Sequence, residues 1–170
     1  LISLVLVTTL LFLLRTIMDN ALSKVEAARQ AMLRFVPLEF LKFLKKDDID
    51  DVRLGESVER EMTVLFSDIR NFTAISESLT PAENFAFINQ YLSAMGPIIR
   101  EHGGFIDKYI GDAIMALFDS PDSALAAAEA MYERLTPFNK SLASADMEPL
   151  NIGIGIHSGL IMLGTIGESM

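Results

Sequence analysis

The sequence predicts an α+β domain, one sheet with helices on a single face, and three observations carry that expectation. Of the 170 residues, 51% are hydrophobic, enough to bury a core. Short runs rich in β-branched and aromatic residues (MTVLFSDI, FIDKYI, AIMALF, NIGIGIH) alternate with longer runs of helical period. Their order is β-α-β-β-α-β-β, and the first six elements match the ferredoxin-like β-α-β-β-α-β arrangement.

Residues Leu1 to Met18 read LISLVLVTTLLFLLRTIM, broken only by Ser3, Thr8, Thr9, Arg15 and Thr16. A span needs about 20 apolar residues, so the run reads as the end of a transmembrane helix. A signal-peptide core and a buried helix compete with that reading. No basic start or small-residue cleavage site supports the signal peptide. Arg15, Lys24, Arg29 and Arg34 place the rest of the chain on the cytoplasmic side. The chain starts without Met and stops at Met170 behind a Gly-rich apolar segment, so it reads as a piece of a longer protein.

From Asp19 the sequence reads as a connector helix to about Val36, capped by Asp19 or Asn20. Leu22, Val25, Met32 and Val36 fall at seam spacing over barely two heptads. Pro37 restarts the chain as a short helix, PLEFLKFLKK. The charged residues 46–61 read as a linker, making 19–61 a helical signalling segment ahead of a main domain at 62–170.

In the main domain, MTVLFSDI is the first strand. Thr80-Pro81-Ala82-Glu83 is a helix start with Thr80 as N-cap, Pro81 at N1 and Glu83 closing a capping box. Phe85, Ile88, Leu92, Met95 and Ile99 give that helix an apolar face, Pro97 bends it, and Gly103-Gly104 ends it. FIDKYI and AIMALF flank Gly111-Asp112 as a tight hairpin. The Ala-rich stretch from Ser123 to Leu135 is helical, with its cap near Ser120 or Asp122. Two more strands, 151–157 and 160–166, flank Ser158-Gly159.

With 14 Lys and Arg against 23 Asp and Glu, the net charge is -9, which excludes a nucleic-acid backbone reader. An acidic chain still binds a nucleotide where bound cations reverse the local charge. The absence of cysteine excludes disulfides, thiolate metal sites and a cysteine nucleophile. Asp68 closes the first strand and Asp112 sits at the hairpin tip. If that strand lies beside the hairpin, both carboxylates reach one edge. Hard oxygen ligands of this kind suit Mg²⁺ or Mn²⁺ and a two-metal displacement at phosphorus. A plain strand end and a plain turn residue explain the two positions equally simply. Residues 69–73 open a helical segment whose amides are placed to cradle phosphates, without a Walker pattern. Lys108 is either a base-reading donor or a solvated strand lysine. His102 and His157 have no partner at metal-ligand spacing and read as structural or surface residues.

Taken together, MTVLFSDIRNFT, GGFIDKYIGDAIMALF and NIGIGIHSGLIMLGTIG resemble the catalytic domain of class III adenylate and guanylate cyclases, most of all the bacterial, cyanobacterial-type adenylate cyclases. RFVPLEFLKFL resembles the segment that often precedes that domain, so the resemblance covers about 35–170. It implies that Asp68 and Asp112 bind two metal ions, Mg²⁺ or Mn²⁺, with the Ile69 carbonyl touching one. It implies that Phe72 and Thr73 hold the triphosphate and that Lys108 reads the base. A lysine donor suits adenine N1, a ring acceptor. The implied reaction is conversion of ATP to 3′,5′-cyclic AMP and pyrophosphate by a membrane-bound homodimer, with its catalytic domain in the cytoplasm. Asn71 departs from the glycine common in the bacterial group. The remaining base-reading and ribose-holding residues of the family fall beyond Met170, so the piece alone is expected to be inactive. A guanylate cyclase and a non-catalytic cyclase-like module are the alternatives. A diguanylate cyclase lacks its signature, since Gly103-Gly104 is followed by Phe105-Ile106.

Overall fold

The computed structural model describes residues 2–32, 38–46, 51–144 and 147–165. They fall into two units, Leu1–Val52 and Arg53–Met170.

In the first unit, helix α1 (Ile2–Met32) runs for 31 residues without a break. Asp19 and Asn20, expected to cap a second helix, sit inside it instead. No Gly or Pro interrupts the stretch, good helix formers succeed them, and Asp19 pairs one turn back with Arg15 at 3.8 Å. Among the described residues, no helix is long and apolar enough to cross a membrane. The span expected over 1–18 therefore finds no support there, and the side chains of 1–10 lie outside those described. Helix α2 (Leu38–Phe43) forms where the PLEFLKFLKK pattern places it, while Pro37 lies outside the described residues.

The second unit is built on one antiparallel sheet. Strands β1 (Ser57–Ile69), β2 (Phe105–Ile110), β3 (Ala113–Phe118) and β4 (Ile152–Gly164) lie in the order β2-β3-β1-β4, which is the ferredoxin-like order. Thr63, Leu65, Ser67 and Ile69 of β1 are buried while Phe66 and Asp68 between them are exposed, so one sheet face is covered. The cover is α4 (Pro81–Glu101) and α5 (Pro121–Ala143). Tyr91, Met95 and Ile99 of α4 and Ala127, Met131, Leu135 and Phe138 of α5 close over Leu65, Ile69, Ile114, Ala116, Phe118 and Ile152. A short helix, α3 (Phe72–Glu77), bridges β1 and α4.

Four local expectations are corrected. β1 begins at Ser57, so the charged 57–61 segment is strand rather than linker: it pairs with Leu160–Gly164 of β4. Ser158-Gly159 does not separate two strands. The long partner carries β4 straight through it, and Ser158 Oγ bonds Thr63 Oγ1 at 2.8 Å. The buried stripe of α4 is Phe87, Tyr91, Met95, Ile98 and Ile99, whereas Phe85 is 72% exposed, because two residues of helix turn a side chain to nearly the opposite face. Finally, α5 passes through Pro137 to Ala143, held by the buried Phe138 and Leu142.

The start and stop of α4 form as the sequence predicts. Thr80 N–H donates to Glu83 Oε2 at 2.8 Å and Glu83 N–H donates to Thr80 Oγ1 at 3.4 Å, the two halves of a capping box. At the other end, Gly103 N–H bonds Arg100 O at 3.1 Å and Gly104 N–H bonds Ile99 O at 2.9 Å. With Gly103 at φ 77°, this is a Schellman stop.

Candidate active site

The sheet order places β1 directly beside β3, and the β2–β3 hairpin turns at Gly111-Asp112 with Gly111 at φ 64°. The end of β1 and the hairpin tip therefore meet at one edge. There the Ile69 N–H donates to Asp112 Oδ2 at 3.1 Å. The Asp112 carboxyl is also close enough to Asp68 to feel its charge. Burial first, and then the Asp68 carboxyl, push Asp112 above the usual carboxylate range, against backbone N–H groups that hold it down. This convergence is the one the topology predicts for the two aspartates, and the fold delivers it.

Two carboxylates in this relation either share a proton or share a cation. The donor set fits a hard divalent ion such as Mg²⁺ or Mn²⁺. Among the described residues, no group of three or more His, Cys, Asp or Glu converges. Two carboxylates would fill only part of the shell of such an ion, the rest falling to other oxygens such as those of a phosphate.

Lys108 lies opposite Met115, and Met115 lies opposite Phe66. Directly opposed residues share a sheet face, so Lys108 stands on the open face with Phe66 and, two residues along β1, Asp68. A register shift between Ile106 and Lys108 makes Asp107 a bulge, and Lys108 Nζ sits 3.1 Å from Asp107 Oδ2. Phe72 and Thr73 are the first two residues of α3, so their N–H groups have no acceptor within the helix. Asn71 stands at the N-cap of that helix in the left-handed conformation, φ 58° and ψ 27°, with no hydrogen bond from its side chain to the helix. His102 is structural, its Nδ1 2.8 Å from Ile98 O.

Sequence reasoning missed three features of this edge. Tyr91, fully buried in α4, brings its hydroxyl to 3.3 Å from Ser67 Oγ. Burial, chiefly, with smaller contributions from Asp112 and Asp68, pushes its phenol up to about 12, so it keeps its proton at neutral pH. Its place between Phe87 and Met95 at four-residue spacing is the signal the sequence offers. Second, the Arg70 guanidinium lies against Gly153, where a Cβ would stand 2.6 Å from Nε. Third, Asn139 clamps the approach to β4, donating to Leu150 O at 2.9 Å and accepting from Leu150 N–H at 3.0 Å. A cavity of about 560 Å³ opens beside this edge, among Arg70, Asn71, Ile75, Phe87 and Asn151. Neither aspartate lines it, so the carboxylate pair and the cavity are separate features.

Comparison with known proteins bears on this edge. The model of the adenylate and guanylate cyclase catalytic domain matches residues 56–170. An adenylate cyclase of Anabaena cylindrica is 43% identical over 151 residues, covering 85% of this chain and 30% of the Anabaena protein. This chain therefore spans under a third of that relative. Among solved structures, a guanylyl cyclase, Cya2, aligns with a TM-score of 0.61 at 37% identity, over 66% of this chain and 60% of that one. A bacterial light-regulated adenylyl cyclase aligns with a TM-score of 0.77 at 25% identity, over 90% of this chain and 46% of that one.

Proposed function

Since the chain belongs to the adenylate and guanylate cyclase catalytic domain family, most like its bacterial adenylate cyclases, we propose that it carries the metal-binding half of an adenylate cyclase site, making cyclic AMP and pyrophosphate from ATP. The observation that supports this most is the meeting of Asp68 and Asp112 at one sheet edge, with Lys108 on the face Asp68 occupies.

Chemistry assigns the roles. Asp68 and Asp112 hold the divalent cations, joined by the Ile69 carbonyl. When bound, Mg²⁺ or Mn²⁺ lowers the charge cost of in-line displacement at the α-phosphate. Asp112 accepts the Ile69 N–H at Oδ2, a hydrogen bond that helps to orient the carboxylate. Phe72 and Thr73 offer backbone N–H groups to the triphosphate. Lys108, a donor with no acceptor capacity, favours adenine over guanine, whose N1 is itself a donor. The ribose-holding groups come from a second copy in a homodimer. Attachment to a membrane through 1–18, with the catalytic unit on the cytoplasmic side, completes the proposal. It rests on the apolar run and on Leu11, Phe12, Leu13, Leu14, Ile17 and Met18 standing exposed.

The test is cyclic nucleotide formation by the intact gene product, from ATP and from GTP with Mn²⁺, beside Asp68→Asn. Cyclic AMP from ATP, lost in the variant, is the expected result. Preferential cyclic GMP would overturn the base assignment. No product from either nucleotide in a folded dimer would leave a non-catalytic cyclase-like module.

A further inference from the structure

The proposed chemistry has no use for Tyr91, yet the fold places its hydroxyl with care. In β1 the buried polar side chains are Thr63 and Ser67. Thr63 is satisfied within the sheet, by Ser158 at 2.8 Å. Ser67 is satisfied from outside it, by the Tyr91 hydroxyl at 3.3 Å, the link running from α4 into the strand. A phenylalanine at position 91 would fill the same space. A buried hydroxyl costs free energy unless it is bonded, so this one stands out against an apolar alternative.

Its location gives the bond a purpose. Ser67 precedes Asp68, and the two point to opposite sheet faces. The next residue, Ile69, supplies the N–H that Asp112 accepts. A tie on Ser67 therefore holds the strand from beneath where the carboxylate pair is assembled above. The anchor is stiff: Tyr91 is fully buried and meets Phe138 of α5 edge-on, with centroids 6.2 Å apart and planes at 76°. We infer that Tyr91 is a positioning residue for the metal-bearing edge, its hydroxyl fixing through Ser67 where Asp68 and Ile69 stand relative to Asp112. This rests on the reading of Asp68 and Asp112 as metal ligands. The field of Asp68 and Asp112 reaching the phenol is consistent with the short path between them.

The test is Mn²⁺ binding, followed by the loss of the free-ion paramagnetic resonance signal on titrating the full chain. Native protein is compared with Tyr91→Phe, Ser67→Ala and the double variant, with Asp68→Asn as baseline. Groups that orient metal ligands typically change affinity by about 10-fold, and that loss is expected in each single variant. The double variant should lose no more than either, since both remove one bond. Stability in EDTA should fall in each single variant, which leaves one buried hydroxyl unbonded, and recover in the double; affinities are compared where circular dichroism shows every variant fully folded, which separates positioning from general destabilisation. Should Tyr91→Phe not fold, Ser67→Ala breaks the same bond from the sheet side. Native-like Mn²⁺ affinity in the single variants, or losses that multiply in the double, would overturn this inference alone. A native chain that binds no more Mn²⁺ than Asp68→Asn would overturn the metal reading, and the inference with it.

Discussion

Gly104 offers the clearest test of the packing beneath the site. It comes just after the Schellman stop of α4 and leads into β2. A Cβ added there would stand 2.5 Å from Phe118 Cζ and 2.7 Å from Cδ1, with Cε1 closer still. Carbon atoms pack comfortably at about 3.5–4.0 Å, so Gly104→Ala requires the ring or the chain to move by about 1 Å. Phe118 is fully buried at the end of β3, opposite Thr63 of β1. It has no room to yield. Overpacking of this kind costs about 1–3 kcal/mol. With a urea slope of about 1.5 kcal/mol/M, a loss of ~2 kcal/mol lowers the midpoint by about 1.3 M at unchanged slope. Gly103 provides the control. It sits at φ 77° with nothing within 4 Å of an added Cβ, so Gly103→Ala carries only backbone strain. That strain is about 1 kcal/mol. Equilibrium urea unfolding of the second unit reads both. A native midpoint for Gly104→Ala, or a larger loss for Gly103→Ala, would refute the close approach to Phe118.

Three further outcomes are expected. Asn71→Gly removes the left-handed strain at φ 58° and should raise stability by about 0.5–1 kcal/mol, measured by thermal melting. In EDTA, Asp112→Asn should gain stability over the native chain as pH rises. A carboxyl raised above its ordinary 3.8 favours folding below that value and loses the contribution as pH climbs through its folded pKa, and the amide variant has nothing to lose. Adding Mn²⁺ should stabilise the native chain and leave Asp112→Asn unmoved. Thr80→Ala should return the Glu83 carboxyl, held low first by the Thr80 side chain and then by its N–H, toward its ordinary value in an NMR titration. The native cap's contribution is present above the unfolded pKa and fades as pH falls through the folded one.

Much of this was legible because local chemistry decided it. The Thr80 capping box, the Gly103 stop and the Gly111-Asp112 hairpin each draw on a few neighbouring residues, and each forms where the sequence places it. Elements decided by distant partners were not legible. SVERE looks like linker because it is charged and has no clear period, yet the register with Leu160–Gly164 makes it strand. Ser158-Gly159 looks like a turn until Thr63 is seen to bond Ser158 across the sheet. The Ala-rich pattern runs out at Leu135, but the burial of Phe138 and Leu142 carries the helix on through Pro137 at the loss of one helical bond. At the site, Asp68 and Asp112 could be paired from topology. Tyr91 could not be tied to Ser67: the apolar face expected over Phe85, Ile88 and Leu92 passes it by, and no period says where a hydroxyl ends.

The opposed facing of Ser67 and Asp68 makes the site sensitive to arithmetic. Deleting one codon anywhere in 62–66 would change no residue of the edge, yet it would reverse parity and bring Asp68 to the helix side. A carboxylate would then sit in the core, and Ile69 would stand at the outward position that Asp68 now occupies. Deleting two codons would restore parity but draw Asp68 back by about 6.7 Å, out of reach of Asp112. Natural variation in this strand should therefore run through substitutions, while gains and losses of length collect in the connections before Ser57 and after Ala143.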